Sequence, residues 1–449
     1  MDQKKLTMLL KKEMVPALGC TGPTAYALAT ACCRPYLTGA LQEVKIYVSP
    51  TFLKVGFGVA TPGTATPGIE IAAAVGLIGG DYTLGLQVLT PTTDADMKQA
   101  KRLVDSGILR VLCDWEKRGI YIRAEVISTK ETIVAVVEHT HDGVSLIQVN
   151  DEVKFRAEIV GEEDPEYSSE QLTLDAIFSY VETVDSADIR FLLDGYRMNL
   201  QLAEAALKEP FGLSSGRAYL KQQWNGRKAP EDLFKRPMDY LPEDIVERSK
   251  ILVATASDGR MGGCRLPAMA AMGDGNQGLT ATLPVGTAGT LMGKSEEQIC
   301  RALALSCLML FYIKIHIGRA AAFCQCAISA SAGVAAGVSY LQGAEREKIC
   351  GAVKNAISTL AGILCDGAKN GCALKMATAT TTAFTSVDLA GAGVQMGYFD
   401  GICDDTLEET VFCITQIATK SMELLDHCMV DGILYKTQRK RTEAVDRIQ

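Results

Sequence analysis

No apolar run in this 449-residue sequence is long enough to cross a bilayer. The most apolar stretches, residues 302–313 and 326–341, fall short of the roughly 18 to 20 residues that a membrane-spanning helix needs. We predict that both are buried core helices. Residues 1–12 mix charges with a short apolar stretch, and no small-residue cleavage site follows. We therefore expect no secretory signal and a cytoplasmic protein.

The sequence also lacks an excess of positive charge. Its 45 Lys and Arg against 53 Asp and Glu give a formal net charge of −8. The average field of such a chain repels nucleic acid, which disfavours a large phosphate-binding surface. We predict a small-molecule substrate, no nucleic-acid or membrane partner, and a homo-oligomer.

Tryptophan is scarce, with two residues, whereas glycine is abundant, with 41. This composition favours helices that pack closely through small side chains. The chain also carries 15 cysteines. Because a reducing cytoplasm keeps thiols free, we expect core thiols or metal ligands rather than a disulfide framework.

Hydrophobic periodicity predicts an α+β fold, with an N-terminal helix and an α/β lobe followed by a largely all-α, Ala/Gly-rich lobe. Strands are predicted at 44–48, 120–127 and 132–138, and helices at 4–15, 69–77 and 94–105. The predicted domains are N-terminal helices carrying Cys20 (1–40), the α/β lobe (41–165), a connecting helical region (166–245) and a helical lobe (246–449).

Three cysteines of the helical lobe, Cys326, Cys365 and Cys372, lie among Gly and Ala residues. Such neighbours leave room for inorganic sulfide and for backbone amides that donate hydrogen bonds to sulfur. The spacing is neither a ferredoxin run nor a paired CxxC zinc pattern. On residue types alone, buried core thiols and cluster ligands are equally supported.

Residues 365–375 read CDGAKNGCALK, which resembles the CDGAK-x-GCALK signature of the L-cysteine desulfidase family, distant relatives of the iron-sulfur L-serine dehydratase alpha chain. Other matching segments follow in the family's order: GCT at 19–21, PGT at 62–64, EHT at 138–140, RMGG at 260–263, GNQG at 275–278, Lys314, GR at 318–319 and Cys326. The resemblance covers nearly the whole chain.

The resemblance implies that Cys326, Cys365 and Cys372 hold a 4Fe-4S cluster, with one iron lacking a protein ligand. Such an iron acts as a Lewis acid toward a substrate. The implied activity is a lyase reaction that needs no pyridoxal phosphate. The sulfhydryl of cysteine or the hydroxyl of serine leaves, and the product is converted to pyruvate and ammonia. Cys403 or Cys428 near the C-terminus is a possible fourth ligand.

Further site residues follow from the same resemblance. Cys20 is the predicted general base, because we expect Pro23 at the first position of a helix, whose positive end favours a thiolate. A buried structural thiol is the alternative. Lys314 and Lys369 are further catalytic candidates, although many lysines are simply solvated. The predicted substrate-binding residues are Thr21, Lys54, Gly63, Thr64, His139, Asn276, Gln277, Arg319 and Lys375.

Three positions depart from the family pattern. Gly22 replaces a glutamate beside the predicted base, Val55 replaces an asparagine, and Asp274 replaces a serine. These changes alter charge and hydrogen bonding in a pocket that has to read an ammonium and a carboxylate group. They indicate a divergent paralogue that acts on a different β-substituted or hydroxy acid.

Competing interpretations come from other patterns. Residues 273–278 satisfy GxGxxG, but the preceding residues are rich in Ala and Met rather than β-branched, and Asp274 would repel a pyrophosphate. This disfavours a dinucleotide site. A zinc site formed by Cys324, Cys326, Cys365 and Cys372 and a degenerate ligand-binding protein both stay open.

Overall fold

The computed structural model describes residues 2–64, 66–157, 171–318, 321 and 323–446. Two large hydrophobic clusters organise these residues. One is formed by residues between 18 and 149, joined by Val430, and the other by residues 6–14 together with residues between 172 and 418. Strands dominate part of the first region and helices the second, which confirms the predicted α+β class.

The first lobe contains a sheet with the strand order β3-β2-β4-β5-β6-β7. Its strands are β2 (Leu41–Val48), β3 (Leu109–Cys113), β4 (Tyr121–Ser128), β5 (Thr132–Glu138), β6 (Val144–Val149) and β7 (Glu152–Arg156). Strand β1 (Met14–Leu18) precedes them in the chain and belongs to a separate sheet. Strand β2 runs parallel to β3, and the other neighbours are antiparallel. Val44, Ile46 and Val48 are fully buried, as the alternation of a strand with one buried face requires.

Helices pack on this sheet and on one another. The helices in this part of the chain are α2 (Thr21–Cys33), α3 (Pro50–Gly56), α4 (Ile69–Gly79) and α5 (Asp94–Asp105), whereas the preceding helix α1 (Gln3–Glu13) contributes its buried residues to the second cluster. Helix α2 packs against α4 and against strands β4 and β5. The start of α5 is fixed by a capping box, in which the side chains of Thr93 and Asp96 each accept a backbone hydrogen bond from the other residue. The strands and helices predicted in this lobe are confirmed.

The second lobe is a packed set of helices. Its members are α6 (Leu174–Thr183), α7 (Ser186–Ile189), α8 (Phe191–Lys208), α9 (Ser215–Gln222), α10 (Ile245–Met261), α11 (Gly275–Leu291), α12 (Glu296–Ile317), α13 (Ile328–Leu341), α14 (Arg346–Leu360), α15 (Cys372–Gly391) and α16 (Leu407–Asp446). Helices α6 and α8, from the predicted connecting region, contribute buried residues to the same core as α12 and α13.

One strand that was not predicted from the sequence interrupts the described part of the helical lobe, which is otherwise largely all-α as expected. Strand β8 (Pro267–Ala271) pairs antiparallel with β1, with Met14 opposite Ala271. Its Ala- and Met-rich sequence gives no strand signal, because the pairing is decided by tertiary packing against β1 rather than by residue propensity. The ladder joins the N-terminal segment to the start of α11.

Helix α12 has 22 residues and extends beyond the predicted apolar stretch 302–313 at both ends. By length and composition alone, the whole helix could cross a membrane. However, 83% of its most apolar window is buried inside the structure. Its residues Leu303, Leu310 and Ile313 are fully buried in the core of the second lobe. The predicted core role of residues 302–313 is therefore confirmed, and α13 is buried in the same way.

Candidate active site

A cavity of about 100 Å³ lies between the start of α2, helix α3, the end of α10, the start of α11 and the loop before α15. The predicted site residues that line it are Cys20, Thr21, Lys54, Asn276, Gln277, Lys314, Cys326, Cys365, Lys369, Cys372 and Lys375. The fold thus brings together side chains that are up to 355 positions apart in the chain.

Some predicted residues lie elsewhere. Gly63, Thr64 and His139 are not among the residues that line the cavity. His139 follows β5 with a positive φ of 67°, as part of the turn that leads to His141, and it is His141 that reaches the cavity. Arg319 lies outside the described residues.

Besides Cys20, four thiols line the cavity, because Cys324 joins the three predicted cluster ligands. Phe323 and Leu364 form an antiparallel bridge, and the amide of Cys324 donates to the carbonyl of Ile363 at 2.9 Å. This short pairing places the loop before α13 beside the loop before α15. Cys403 and Cys428 are not among the described residues that line the cavity.

Backbone amides surround the sulfur atoms. The amide of Ala327 donates to Cys324, that of Gly367 to Cys365 and that of Lys369 to Cys372. Gly367 has a positive φ of 93°, and a Cβ atom there would lie 2.1 Å from the carbonyl oxygen of Lys54, so only glycine fits this loop. Amide donors of this kind are what thiolate ligands of a cluster need.

The four thiols differ in acidity. A hydrogen bond from Cys326 lowers the pKa of Cys324 to about 7. The same hydrogen bond, together with burial, raises the pKa of Cys326. Burial raises the pKa of Cys365, and it raises that of Cys372 to about 12. In this environment most of the thiols stay protonated until a positively charged group approaches them.

The cavity thiols provide donors that metal sites use. Within the described part of the chain, no three His, Cys, Asp or Glu side chains are placed to hold one metal ion. A 4Fe-4S cluster binds each thiolate on a different iron. By donor chemistry, cysteine thiols with backbone amides beside them fit such a cluster, and thiols are also ligands that zinc takes.

Lysines and one carboxylate hold the loop that carries Cys365 and Cys372. Lys369 and Lys375 both donate to Asp366, and Lys375 also donates to the carbonyl of Leu364 at 2.6 Å. Burial raises the pKa of the Asp366 carboxyl, but the hydrogen bonds from the two lysines lower it to about 2. These lysines therefore shape the loop and bring positive charge to the thiols.

Lys54 is tied to the C-terminal helix. Its Nζ lies 2.6 Å from Oδ1 of Asp426 in α16, and Thr51 donates to the other carboxylate oxygen at 2.6 Å. The Lys54 side chain is fully buried, and that of Asp426 is 9% exposed. This pair connects the cavity wall with the far end of the chain.

We expect Asp426→Ala to destabilise the protein by about 3 to 5 kcal/mol, because it leaves Lys54 buried without its counter-ion. Asp431→Ala, an exposed site on the same helix, should change stability by no more than about 0.5 kcal/mol. The free energy of unfolding in urea measures both. Equal effects of the two substitutions would contradict the importance of the pair.

Cys20 caps the N-terminus of α2, as predicted, and its side chain is 4% exposed. Pro23 is the third residue of this helix rather than the first. The expectation of a favoured thiolate was wrong for the protein alone: burial raises the pKa of Cys20, although the nearby Arg260 guanidinium and the Gly22 amide lower it. Cys20 packs with Val59, Met261 and the half-buried Cys372, which places the predicted base beside a predicted ligand.

Asp274 caps α11 and faces the cavity. It accepts hydrogen bonds from the amides of Asn276 and Gln277, and its Oδ2 accepts from the Gln277 side chain at 3.1 Å. The Cys326 thiol lies 3.7 Å from the same oxygen. Burial raises the pKa of Asp274, but the positive charges of Arg260 and Lys314 lower it by more, so its pKa lies below the usual value and the carboxyl is ionised.

The GxGxxG segment has a different context from the one predicted. Strand β8 does precede it, and α11 begins at Gly275, so Asn276 and Gln277 lie in the first helical turn rather than in a loop. The strand belongs to an antiparallel ladder with β1, not to a parallel βαβ unit. Because a dinucleotide fold needs that parallel unit, the structure gives no support to a nicotinamide site.

Comparison with known proteins bears on the family. The model of the serine dehydratase alpha chain family matches residues 83–431. A UPF0597 protein of Clostridium perfringens is 35% identical over 432 residues, covering 96% of this chain and 98% of the relative. The chain belongs to the serine dehydratase alpha chain family. UPF0597 proteins of Desulforapulum autotrophicum and Clostridioides difficile are 33% and 34% identical, covering 97% and 94% of this chain and 98% and 97% of the relatives. These names state no activity.

Two of the three departures from the expected family pattern are in contact. A Cβ atom at Gly22 would lie 2.6 Å from Cγ1 of Val55, so no larger residue fits at position 22 while valine stands at 55. The residue type that position 22 can hold therefore depends on the residue at position 55. Gly22 and Val55 bring no polar side chain to the cavity, and the negative charge of Asp274 contributes to the raised pKa of the Cys20 thiol.

We expect Gly22→Ala to destabilise the protein by about 1 to 3 kcal/mol through this overlap. Adding Val55→Ala should restore most of the loss. Gly391→Ala, at the end of α15 where a Cβ atom meets nothing within 4 Å, is the matched control and should be neutral or stabilising. Denaturant midpoints measure the series, and a fully stable Gly22→Ala protein would refute the contact.

Among the cavity residues that were not predicted as site residues are Arg260, Asp274 and His141, and Cys324 was considered only as a zinc ligand. Arg260 lies in the RMGG segment and Cys324 two residues before Cys326. An arginine in a mostly apolar helix was the available signal, because a charge at such a position needs a buried partner. For His141 the sequence offers no signal, since the turn after β5 decides which histidine faces inward.

Proposed function

We propose that this chain is an iron-sulfur-dependent lyase that catalyses β-elimination from a small amino acid or related carboxylate. The candidate reactions are L-cysteine to pyruvate, sulfide and ammonia, and L-serine to pyruvate and ammonia. One observation carries the proposal: Cys326, Cys365 and Cys372 line the same cavity as Cys20. Membership of the serine dehydratase alpha chain family supports the lyase class.

Cys326, Cys365 and Cys372 would hold a 4Fe-4S cluster. When bound, the cluster supplies a Lewis-acidic iron that stabilises negative charge on the substrate or leaving group. The protein supplies positive charge around it, because Lys54, Lys369 and Lys375 all line the cavity. Thiolate ligands make a cluster anionic, and these cations offset that charge in a buried setting.

Cys20 would act as the general base. The thiolate takes the α-proton of the substrate, the electron pair of that C–H bond forms the new carbon-carbon double bond, and the β-substituent leaves with its bonding pair. The resulting enamine tautomerises to an imine, and water converts this to pyruvate and ammonia. The guanidinium of Arg260 beside Cys20 favours the thiolate.

Two lysines would assist. Lys314 is fully buried and donates to the carbonyl of Met272 at 3.0 Å, which fixes its position at the cavity wall. Lys369 lies on the loop between the two cysteines and donates to the carbonyl of Gly367 at 3.2 Å. Both bring positive charge to a site where the substrate becomes more negative as the proton leaves.

Anaerobic purification followed by iron, sulfide and product analysis tests the proposal. The protein should be brown, contain iron and acid-labile sulfide, and release pyruvate from L-cysteine or L-serine. Release of sulfide with pyruvate identifies L-cysteine as a substrate, whereas pyruvate formation from L-serine releases no sulfide. Colourless protein with bound zinc would indicate a thiolate zinc site, and an intact cluster that produces no pyruvate from any β-substituted amino or hydroxy acid would indicate a ligand-binding paralogue.

A further inference from the structure

Three buried polar atoms of the cavity lack hydrogen-bond partners within the described residues. They are Nη2 of Arg260, Oδ1 of Asn276 and Oε1 of Gln277. The three side chains are only 1 to 3% exposed. Buried polar atoms are nearly always paired, and leaving one unpaired costs about 1 to 3 kcal/mol. One donor and two acceptors that face the same cavity therefore indicate a ligand with complementary groups.

The Arg260 side chain is held from two sides. Its Nε donates to the carbonyl of Gly19 at 3.0 Å, and its Nη1 lies 3.8 Å from the Asp274 carboxylate. A Cβ atom at Gly275 would lie 2.2 Å from Nε, so glycine at this position makes room for the guanidinium. Nε is thus hydrogen-bonded and Nη1 lies at ion-pair distance from a carboxylate, whereas Nη2 is available to a further acceptor.

The orientation of Gln277 follows from its neighbour. The amide nitrogen of Gln277 donates a hydrogen bond to Oδ2 of Asp274 at 3.1 Å. The carbonyl oxygen of Gln277 must then face away and act as an acceptor. Asn276 places its amide nitrogen 3.7 Å from the sulfur of Met261, which leaves its own carbonyl oxygen as a second acceptor.

We propose that Arg260 binds the carboxylate of the substrate through Nη2, while Gln277 and Asn276 accept hydrogen bonds from its α-ammonium group. The inference rests on the proposed function for the identity of the ligand as a substrate. It makes the substrate a free α-amino acid rather than a hydroxy acid or an amide. Asp274 strengthens both contacts, because it holds the guanidinium and the Gln277 amide and adds negative charge near the ammonium group.

Ligand binding tests the inference without turnover. L-alanine has no leaving group, so its equilibrium binding to the anaerobically purified protein is measured by calorimetry, beside L-alaninamide and propionate. Each analogue lacks one charged group, and we expect each to bind about 10- to 100-fold more weakly than alanine. Equal binding of alanine and alaninamide to the wild-type protein would overturn the carboxylate contact. Equal binding of alanine and propionate would overturn the ammonium contact.

Variants assign the contacts to residues. In Arg260→Gln, alanine should bind about 10- to 100-fold more weakly and no better than alaninamide, whereas discrimination against propionate stays. In Gln277→Met, alanine should bind no better than propionate, whereas discrimination against alaninamide should stay. Arg197→Gln, at an exposed arginine of α8, is the matched control and should leave all three affinities unchanged. Discrimination against alaninamide that survives in a folded Arg260→Gln protein would refute the role of Arg260.

The outcome separates this inference from the proposed function. Protein that holds no iron and releases no pyruvate, but binds alanine with the expected dependence on Arg260, would refute the lyase and keep the amino-acid site. Protein that releases pyruvate, but whose Arg260→Gln variant discriminates as the wild type does, would refute the amino-acid site and keep the lyase.

Discussion

Replacement of Cys365 by alanine should remove bound iron and abolish pyruvate formation. The cluster would keep two of its three proposed protein ligands, Cys326 and Cys372. Among the residues that line the cavity, the segment from 365 to 375 offers no further thiol to replace Cys365. We expect the rate to fall by at least about 10³-fold, since the chemistry depends on the Lewis acid. Iron and sulfide analysis with the visible spectrum measures cluster loss, and pyruvate release measures activity.

The neighbouring cysteines give the controls. Cys326→Ala and Cys372→Ala should behave like Cys365→Ala, whereas Cys307→Ala, a fully buried thiol inside α12, should keep iron and activity. Cys324→Ala separates the two thiols of the loop before α13. If Cys324→Ala loses the cluster and Cys326→Ala keeps it, the assignment of ligands in this loop is wrong.

Replacement of Cys20 by serine should lower the rate of elimination by about 10²- to 10⁴-fold and leave the cluster in place. A hydroxyl is far less acidic than a thiol, so serine is not deprotonated at neutral pH. Without an anionic form it cannot act as the base that takes the α-proton. The visible spectrum and iron content should match the wild type. This combination distinguishes a lost base from a lost cofactor.

The matched control is Cys32→Ser, in the same helix α2 but outside the cavity. Both thiols are buried, so any general cost of placing a hydroxyl there is shared. A Cys20→Ser protein with full activity would show that another group removes the proton. The lysines of the cavity, above all Lys314, would then be the next residues to test.

Much of the first lobe could be predicted from sequence because its signals are local. Helix α5 carries its own capping box at Thr93 and Asp96, and the alternation of Val44, Ile46 and Val48 identifies β2. Strand β8 could not be predicted, because alanine and methionine have no strand preference and the pairing with β1 joins residues 249 to 257 positions apart.

The site was predicted in part for a similar reason. A resemblance in ordered motifs placed Cys20 and three cysteines in one site, and the fold brings all four to one cavity. It also suggested Gly63, Thr64 and His139, which lie outside that cavity. The partners of Arg260 could not be read from sequence, because Gly19 follows β1 and Asp274 and Gly275 follow β8, and the pairing of these distant strands is not visible in the sequence.

The contact between Lys54 and Asp426 has a consequence for biosynthesis. The two residues are 372 positions apart, so the ribosome completes the whole first lobe long before it adds the carboxylate that neutralises Lys54. Until then the ammonium group has to remain hydrated, because burial of an unpaired charge is costly. The nascent chain therefore keeps this wall open to water until α16 is made, and a chain that terminates early cannot close it.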